Sequence, residues 1–227
     1  MPQHEDCGNW EYESHPDRGA LTAECNAIES ELLSDHNAVQ KSGAFDTRPA
    51  HKRMFRHVAP KTCRCLAGSY RGTRFCKAAF KYPQVGVGGD DKVGSRADEV
   101  PAHMGQFSSD WASIESKLTE WRESTPPPAD ADVLIELAEG LAKLIEQFFR
   151  IHPYANGNGH TGRYLTLLIM VRMGFPPADW SIDERPPYCD AIYKYRRGQP
   201  DELQDFILKS IQGFDSPAPG PGQVTQS

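Results

Sequence analysis

Apolar residues recur at intervals of three and four along most of the chain, a spacing that predicts helices. Leu21, Ala27, Ile28 and Leu32 share one face between Gly19 and about Leu33. Met104, Phe107, Trp111, Ile114, Leu118 and Trp121 do the same between Glu99 and about Glu123, where Thr125-Pro-Pro-Pro128 ends the run. The strongest stripe begins near Asp130 and runs through Leu134, Leu137, Leu141, Leu144, Ile145 and Phe148 until Pro153 breaks it. From His160 the chain is apolar nearly all round through Tyr164, Leu165, Leu167, Leu168, Ile169 and Val171, the pattern of a helix in the middle of a bundle. Gly174 and Pro176-Pro177 stop it, and two more helices are expected at about 186–197 and 200–212.

One stretch departs from this period. Phe75-Cys-Lys-Ala-Ala-Phe-Lys-Tyr82 reads as a strand, and Val85-Gly-Val-Gly-Gly-Asp-Asp91 supplies turn residues, so a hairpin flap is expected at about 75–96. The predicted class is mainly α, a helical bundle with one small β-hairpin. Residues 1–16 read as a polar extension, 17–212 as one domain, and 213–227 as a disordered Pro/Gly-rich tail.

Composition adds limits. The chain has 227 residues, 38% of them hydrophobic and 25% charged, enough for one domain with a sizeable core. No apolar run is long enough to span a membrane, and the polar first residues lack a signal-peptide core, so a cytoplasmic protein without a membrane partner is expected. A net charge of −6 argues against nucleic acid as the main partner. Lys and Arg do gather between Arg48 and Arg74, as either a solvated face or a binding stripe. Six cysteines are too sparse for a disulfide scaffold, and Cys63-Arg-Cys65 does not have zinc spacing, so reduced thiols are expected.

The candidate chemistry lies between the two strongest helices, in His152-Pro-Tyr-Ala-Asn-Gly-Asn-Gly-His-Thr-Gly-Arg163. Gly157 and Gly159 let the backbone turn sharply around Asn158, and the helix that follows adds unpaired N–H groups and the positive end of its dipole. Such a place attracts phosphate. Arg163, one turn into that helix, points back over it, and His152 can take a proton near neutral pH. Taken singly, each part has an ordinary reading: a turn, a helix cap, a salt-bridge partner. The order of base, glycine-rich nest, buried helix and arginine favours a phosphate site.

This stretch resembles the Fic signature, His-Pro-Phe-x-Asp/Glu-Gly-Asn-Gly-Arg-x-x-Arg. Gly68-Ser-Tyr-Arg71 is similar to the family's Gly-x-Tyr-Arg element, and Glu99-Val-Pro-Ala-His-Met104 with Phe107 and Trp111 to the helix after its flap. The likeness covers roughly residues 20–212. It implies a protein adenylyltransferase in which His152 deprotonates a Ser, Thr or Tyr hydroxyl of a target protein. That oxygen attacks the α-phosphate of ATP. Gly157, Asn158, Gly159 and His160 would line the phosphates, Arg163 would hold the γ-phosphate, and the flap would align the target by strand-like pairing.

Two positions depart from the signature. Asn156 stands where a carboxylate usually binds Mg²⁺, which leaves a weaker ligand for that ion. His160 replaces an arginine and loses its guanidinium fork. Three readings stay open: transfer from ATP, transfer from another donor such as a different nucleotide or a phosphocholine carrier, and a non-catalytic binding protein. Cys25-Asn-Ala-Ile-Glu29-Ser30 resembles the family's inhibitory element, which implies that Glu29 pairs with Arg163 and restrains the enzyme, though a solvated helix Glu would look the same. An acidic compact domain of this kind is also compatible with a homodimer.

Overall fold

A computed structural model describes residues 7, 8, 10–34, 46–86, 90, 92–124, 131–173, 176, 177, 180–184 and 188–212. The expected proline stop at 125–128, Gly174 and the Pro/Gly-rich tail lie outside the described residues.

The helices are α1 (Arg18–Ser34), α2 (Arg48–Phe55), α3 (Val100–Glu123), α4 (Ala131–Ile151), α5 (Asn158–Met173), α6 (Tyr188–Arg196) and α7 (Asp201–Gln212). Six of them lie within a residue or two of their predicted spans. The exception is α2, a short helix whose buried residues are His51, Met54 and Phe55. Helix α4 is the hub and packs against α3, α5, α6 and α7. Helix α5 is wedged between α4 on one side and α1 and α2 on the other. That placement explains its all-round apolar sequence: Leu165, Leu167, Leu168, Ile169 and Met170 are all at most 1% exposed.

The expected strand at Phe75–Tyr82 is a correction. Lys77–Lys81 forms a 3-10 turn, as does Lys61–Leu66. Three-residue spacing buries Cys76 and Ala79 together, whereas a strand of alternating faces would put them on opposite sides. Among the described residues no hairpin ladder appears. The described part of the flap is closed at its base by Ala97 N–H donating to Pro83 O at 2.8 Å; residues 87–89 and 91 of the expected turn lie outside the described residues.

The cysteines are a second correction. Cys7 is bonded to Cys63, and Cys65 to Cys76, with Cα–Cα separations of 5.8 and 5.5 Å. Pairs 56 and 11 residues apart in sequence are set by the fold and have no local spacing to betray them. Cys25 and Cys189 remain thiols. The first disulfide fastens the N-terminal segment, and within that segment Trp10 and Tyr12 are buried at 2% and 7% exposure. No helix among the described residues is long and apolar enough to cross a membrane.

Candidate active site

His152 sits just past the end of α4 with φ at 51°, in the left-handed region that a non-glycine residue rarely enters. Its Nδ1 lies 2.7 Å from the carbonyl of Phe149, which can only accept, so Nδ1 carries the hydrogen and Nε2 keeps the lone pair. Burial pushes its pKa down to about 4, with Arg71 and Arg196 adding to the effect. The imidazole is therefore neutral at physiological pH, the form a base requires.

Arg71 holds this conformation. Its guanidinium is fully buried and reaches carbonyls: His152 O at 2.7 and 3.0 Å, Ile151 O at 3.1 Å, and those of Tyr82 and Pro83 at 3.5 Å. Its own N–H donates to Pro153 O at 2.8 Å. The carbonyls at a helix C-terminus are unpaired and carry the negative end of the dipole, so a cation there is favourable. Gly94 and Ser95 of the flap donate to Arg150 O and Ile151 O at 2.8 and 3.1 Å. Flap and base thus hang on the same helix end. Further along, buried Arg196 ties Asp90 of the flap to Glu146 of α4.

The loop after His152 is fixed from within. Asn158 bridges both backbone groups of Tyr154, accepting from its N–H at 2.8 Å and donating to its carbonyl at 2.9 Å. The Tyr154 ring stacks on His51 at 3.8 Å, and its hydroxyl meets Thr47 at 2.6 Å. His51 accepts from Gly68 N–H and donates to Asn156 O, an arrangement that requires a neutral ring; burial indeed lowers its pKa to about 3. Gly157 has φ at 77°, and a Cβ there would run into the Phe55 ring, so glycine is needed twice over. The first amides of α5, those of Asn158, Gly159 and His160, have no acceptor among the described residues. Free amides at the start of a helix are the arrangement that an anion favours.

Asn156 and His160 are engaged by the protein itself. Asn156 Oδ1 accepts from Gly157 N–H at 2.8 Å, and its Nδ2 donates to Trp10 O at 2.7 Å. His160 donates from Nε2 to Asp183 Oδ1 at 3.0 Å, which leaves Nδ1 to accept from the Tyr12 hydroxyl at 3.2 Å. Burial and nearby Arg163 push the pKa of His160 down to about 4 despite that carboxylate. Asp183 in turn accepts from Arg18 at 2.6 Å and Thr22 at 2.9 Å. Cys25, His160 and Asp183 bring ligand-type atoms within 4.8 Å of one another, but the positive charges of Arg18 and Arg163 act on the same cluster and oppose a cation there.

Arg163 is 8% exposed and donates from Nε to Ile182 O at 2.7 Å and from Nη2 to Asp183 O at 3.2 Å. Its Nη1 lies beside Gly159, where an added Cβ would sit 3.3 Å from it. Glu29 does not pair with Arg163 directly; its carboxylate accepts from Ile182 N–H at 3.1 Å. The structure therefore sets Asn158 against the Tyr154 backbone in the loop that His152 opens, lays Arg163 Nη1 beside Gly159, and separates Glu29 from Arg163 by one residue, Ile182.

Several residues here escaped sequence reasoning. The place of Arg71 was visible in Gly-x-Tyr-Arg, but its carbonyl partners were not. Trp10 and Tyr12 alternate in an otherwise polar segment, a faint period-two signal. Nothing in the sequence marks His51 or Asp183.

The chain matches the Fic/DOC family over residues 22–170. It is 31% identical over 98 residues to protein adenylyltransferase fic-1 of Caenorhabditis elegans, covering 43% of this chain and 16% of that protein. It is 26% identical over 172 residues to protein adenylyltransferase Fic of Nematostella vectensis, covering 74% and 32%. A similar match, 24% over 162 residues, is found with protein adenylyltransferase Fic of Culex quinquefasciatus, covering 71% and 25%. The chain thus spans a third or less of the length of these relatives. The match over more than half of the chain, on the loop and helices just described, makes it a member of the Fic/DOC family.

Proposed function

We propose that this protein transfers AMP from ATP to a hydroxyl of a target protein. The observation that carries the reading is the tautomer of His152: Nδ1–H is committed to Phe149 O, so the lone pair is left on Nε2, at the head of the loop that leads into the free amides of α5. In the proposed step a target Ser, Thr or Tyr hydroxyl gives its proton to Nε2 and its oxygen attacks the α-phosphorus. The bond between the α- and β-phosphates breaks, and pyrophosphate leaves. The amides of α5 and Nη1 of Arg163 stabilise the charge that this transfer shifts onto the leaving oxygens. The names of the relatives support the reaction class.

Mg²⁺ fits this site poorly. The amide of Asn156 brings no charge, and both its ends are engaged, so no step is routed through a protein-held metal ion. The target would lie along the flap, whose loop stays close to His152 through Arg71. The two disulfides favour an oxidising compartment over the cytoplasm expected from the sequence.

His160 favours a second reading. A neutral histidine tied to Asp183 gives less positive charge than the family's arginine, which suits a donor with fewer phosphate charges, such as a phosphocholine carrier. Incubation with ATP labelled on the α-phosphate, in parallel with other labelled donors, separates the two. Label from ATP in the wild type and none in His152→Ala supports AMP transfer; label from another donor alone supports the second reading. No label from any donor would leave the fold as a binding module.

A further inference from the structure

Between Thr47 and Gly89 the chain carries ten Lys or Arg and no Asp or Glu, within a protein of net charge −6. Part of this charge is neutralised internally: Arg48 pairs with Asp46, Arg53 with Glu24 and Glu31, and Arg56 with Glu24. Arg71 is buried on carbonyls. Arg64, Arg74, Lys77 and Lys81 are different. All four are exposed, and none has a carboxylate partner among the described residues.

These four cations converge. The Cys65–Cys76 disulfide staples the two 3-10 turns together, so Arg64 on one turn, Lys77 on the other and Arg74 just before it lie within two residues of a single bridge. Two large apolar side chains stand in the same patch: Phe75 is 96% exposed and Phe80 51%. Outward phenylalanines interleaved with unpaired cations on a covalently braced surface have no role in the core. They suit a partner that brings both negative charge and apolar side chains.

We infer that this patch docks an acidic segment of the target protein, which rests on the transferase reading above. What favours a protein over other anionic partners is position. Lys81 is followed directly by Tyr82 and Pro83, the flap entry, and the Arg71 guanidinium that donates to their carbonyls also donates to the carbonyl of His152. A chain seated on the patch is thereby led toward the base along the flap. A membrane or nucleic acid held there would gain nothing from that continuity.

The test uses a fluorescein-labelled Glu-Glu-Tyr repeat peptide and a Lys-Lys-Tyr control, with binding to the whole chain read by fluorescence anisotropy. The acidic peptide binds the wild type, its affinity falls with added salt, and the lysine peptide does not bind. Replacing Arg74, Lys77 and Lys81 together by glutamate weakens binding by about tenfold or more, as three rim charges should. Phe75→Ser weakens it several-fold at unchanged charge. Equal binding by the triple variant and the wild type, both with an unchanged melting temperature, would overturn the inference. So would no acidic-peptide binding, or a preference for phosphatidylserine vesicles or an oligo-dT strand. None of these readouts needs transfer, so a dead His152 site and an absent docking surface give separate results.

Discussion

Glu29 and Arg163 grip the same residue from opposite sides: the carboxylate takes the N–H of Ile182 and the guanidinium takes its carbonyl. A brake of the kind the family resemblance implies would therefore act indirectly here, through Ile182. Glu29 holds the 181–183 segment, and that segment occupies two of the three nitrogens of Arg163. Glu29→Gly removes the acceptor and should raise modification rates by about tenfold, the scale of one lost hydrogen bond to a charged group. Glu29→Gln keeps an acceptor oxygen and should stay much nearer to wild type. Single-time-point labelling of both variants checks this. Equal activation by the two would mean that charge on Arg163, and not the Ile182 contact, is the restraint.

Arg71 positions His152 without being able to touch a substrate, being fully buried. Arg71→Lys loses the planar fork and with it most of the bonds to His152 and Ile151 carbonyls. The expected result is a fall in kcat of about a hundredfold with KM for ATP little changed, because ~2–3 kcal/mol of orientation is lost at the base and not at the nest. A melting curve accompanies the kinetics. A rise in KM with kcat intact would place Arg71 with nucleotide binding instead.

The acid limb of the pH profile should lie near pH 4, where His152 protonates, and not near 6.5. Stability should follow the same sign. His51, His152 and His160 all have depressed pKa values, about 3, 4 and 4, so in the unfolded chain they bind protons first. Their contribution is fully present above about pH 6.5 and is lost as pH falls toward 4, at about 1.4 kcal/mol per unit for each group. Melting temperatures between pH 7.5 and 5 measure this, and a flat profile would show that the three rings are not buried neutral.

The Cys7–Cys63 bond anchors the segment whose Trp10 carbonyl meets Asn156 and whose Tyr12 hydroxyl meets His160. Cys7→Ser should cost ~2–4 kcal/mol of stability, as for a loop of this length. It should also shift the fluorescence of Trp10 toward the red as the segment loosens. If the variant melts like the wild type and its emission is unchanged, the segment is held by packing alone.

The helices were legible because burial imposes its period on the sequence, most plainly in α4 and α5. Phe75–Tyr82 has strand-like residues but folds as a 3-10 turn beside Cys76, whose disulfide to Cys65 on the neighbouring turn has no signature in the local pattern. The site was legible where local sequence dictates local shape, at Gly157, Asn158 and Gly159. It was not legible where residues 148 or 153 positions apart meet, as Tyr12 meets His160 and Glu29 meets Ile182. The loss of the family's carboxylate and guanidinium at Asn156 and His160 could be read from sequence; the commitment of these side chains to Trp10 and Asp183 could not.

The most direct test is intact-mass spectrometry of Glu29→Gly and of Glu29→Gly with His152→Ala after incubation with ATP and Mg²⁺ and a candidate target. The account predicts a mass gain of one AMP unit on the variant or the target with His152 present, and none with His152 replaced. Equal gains with and without His152, or no gain with either, would contradict it.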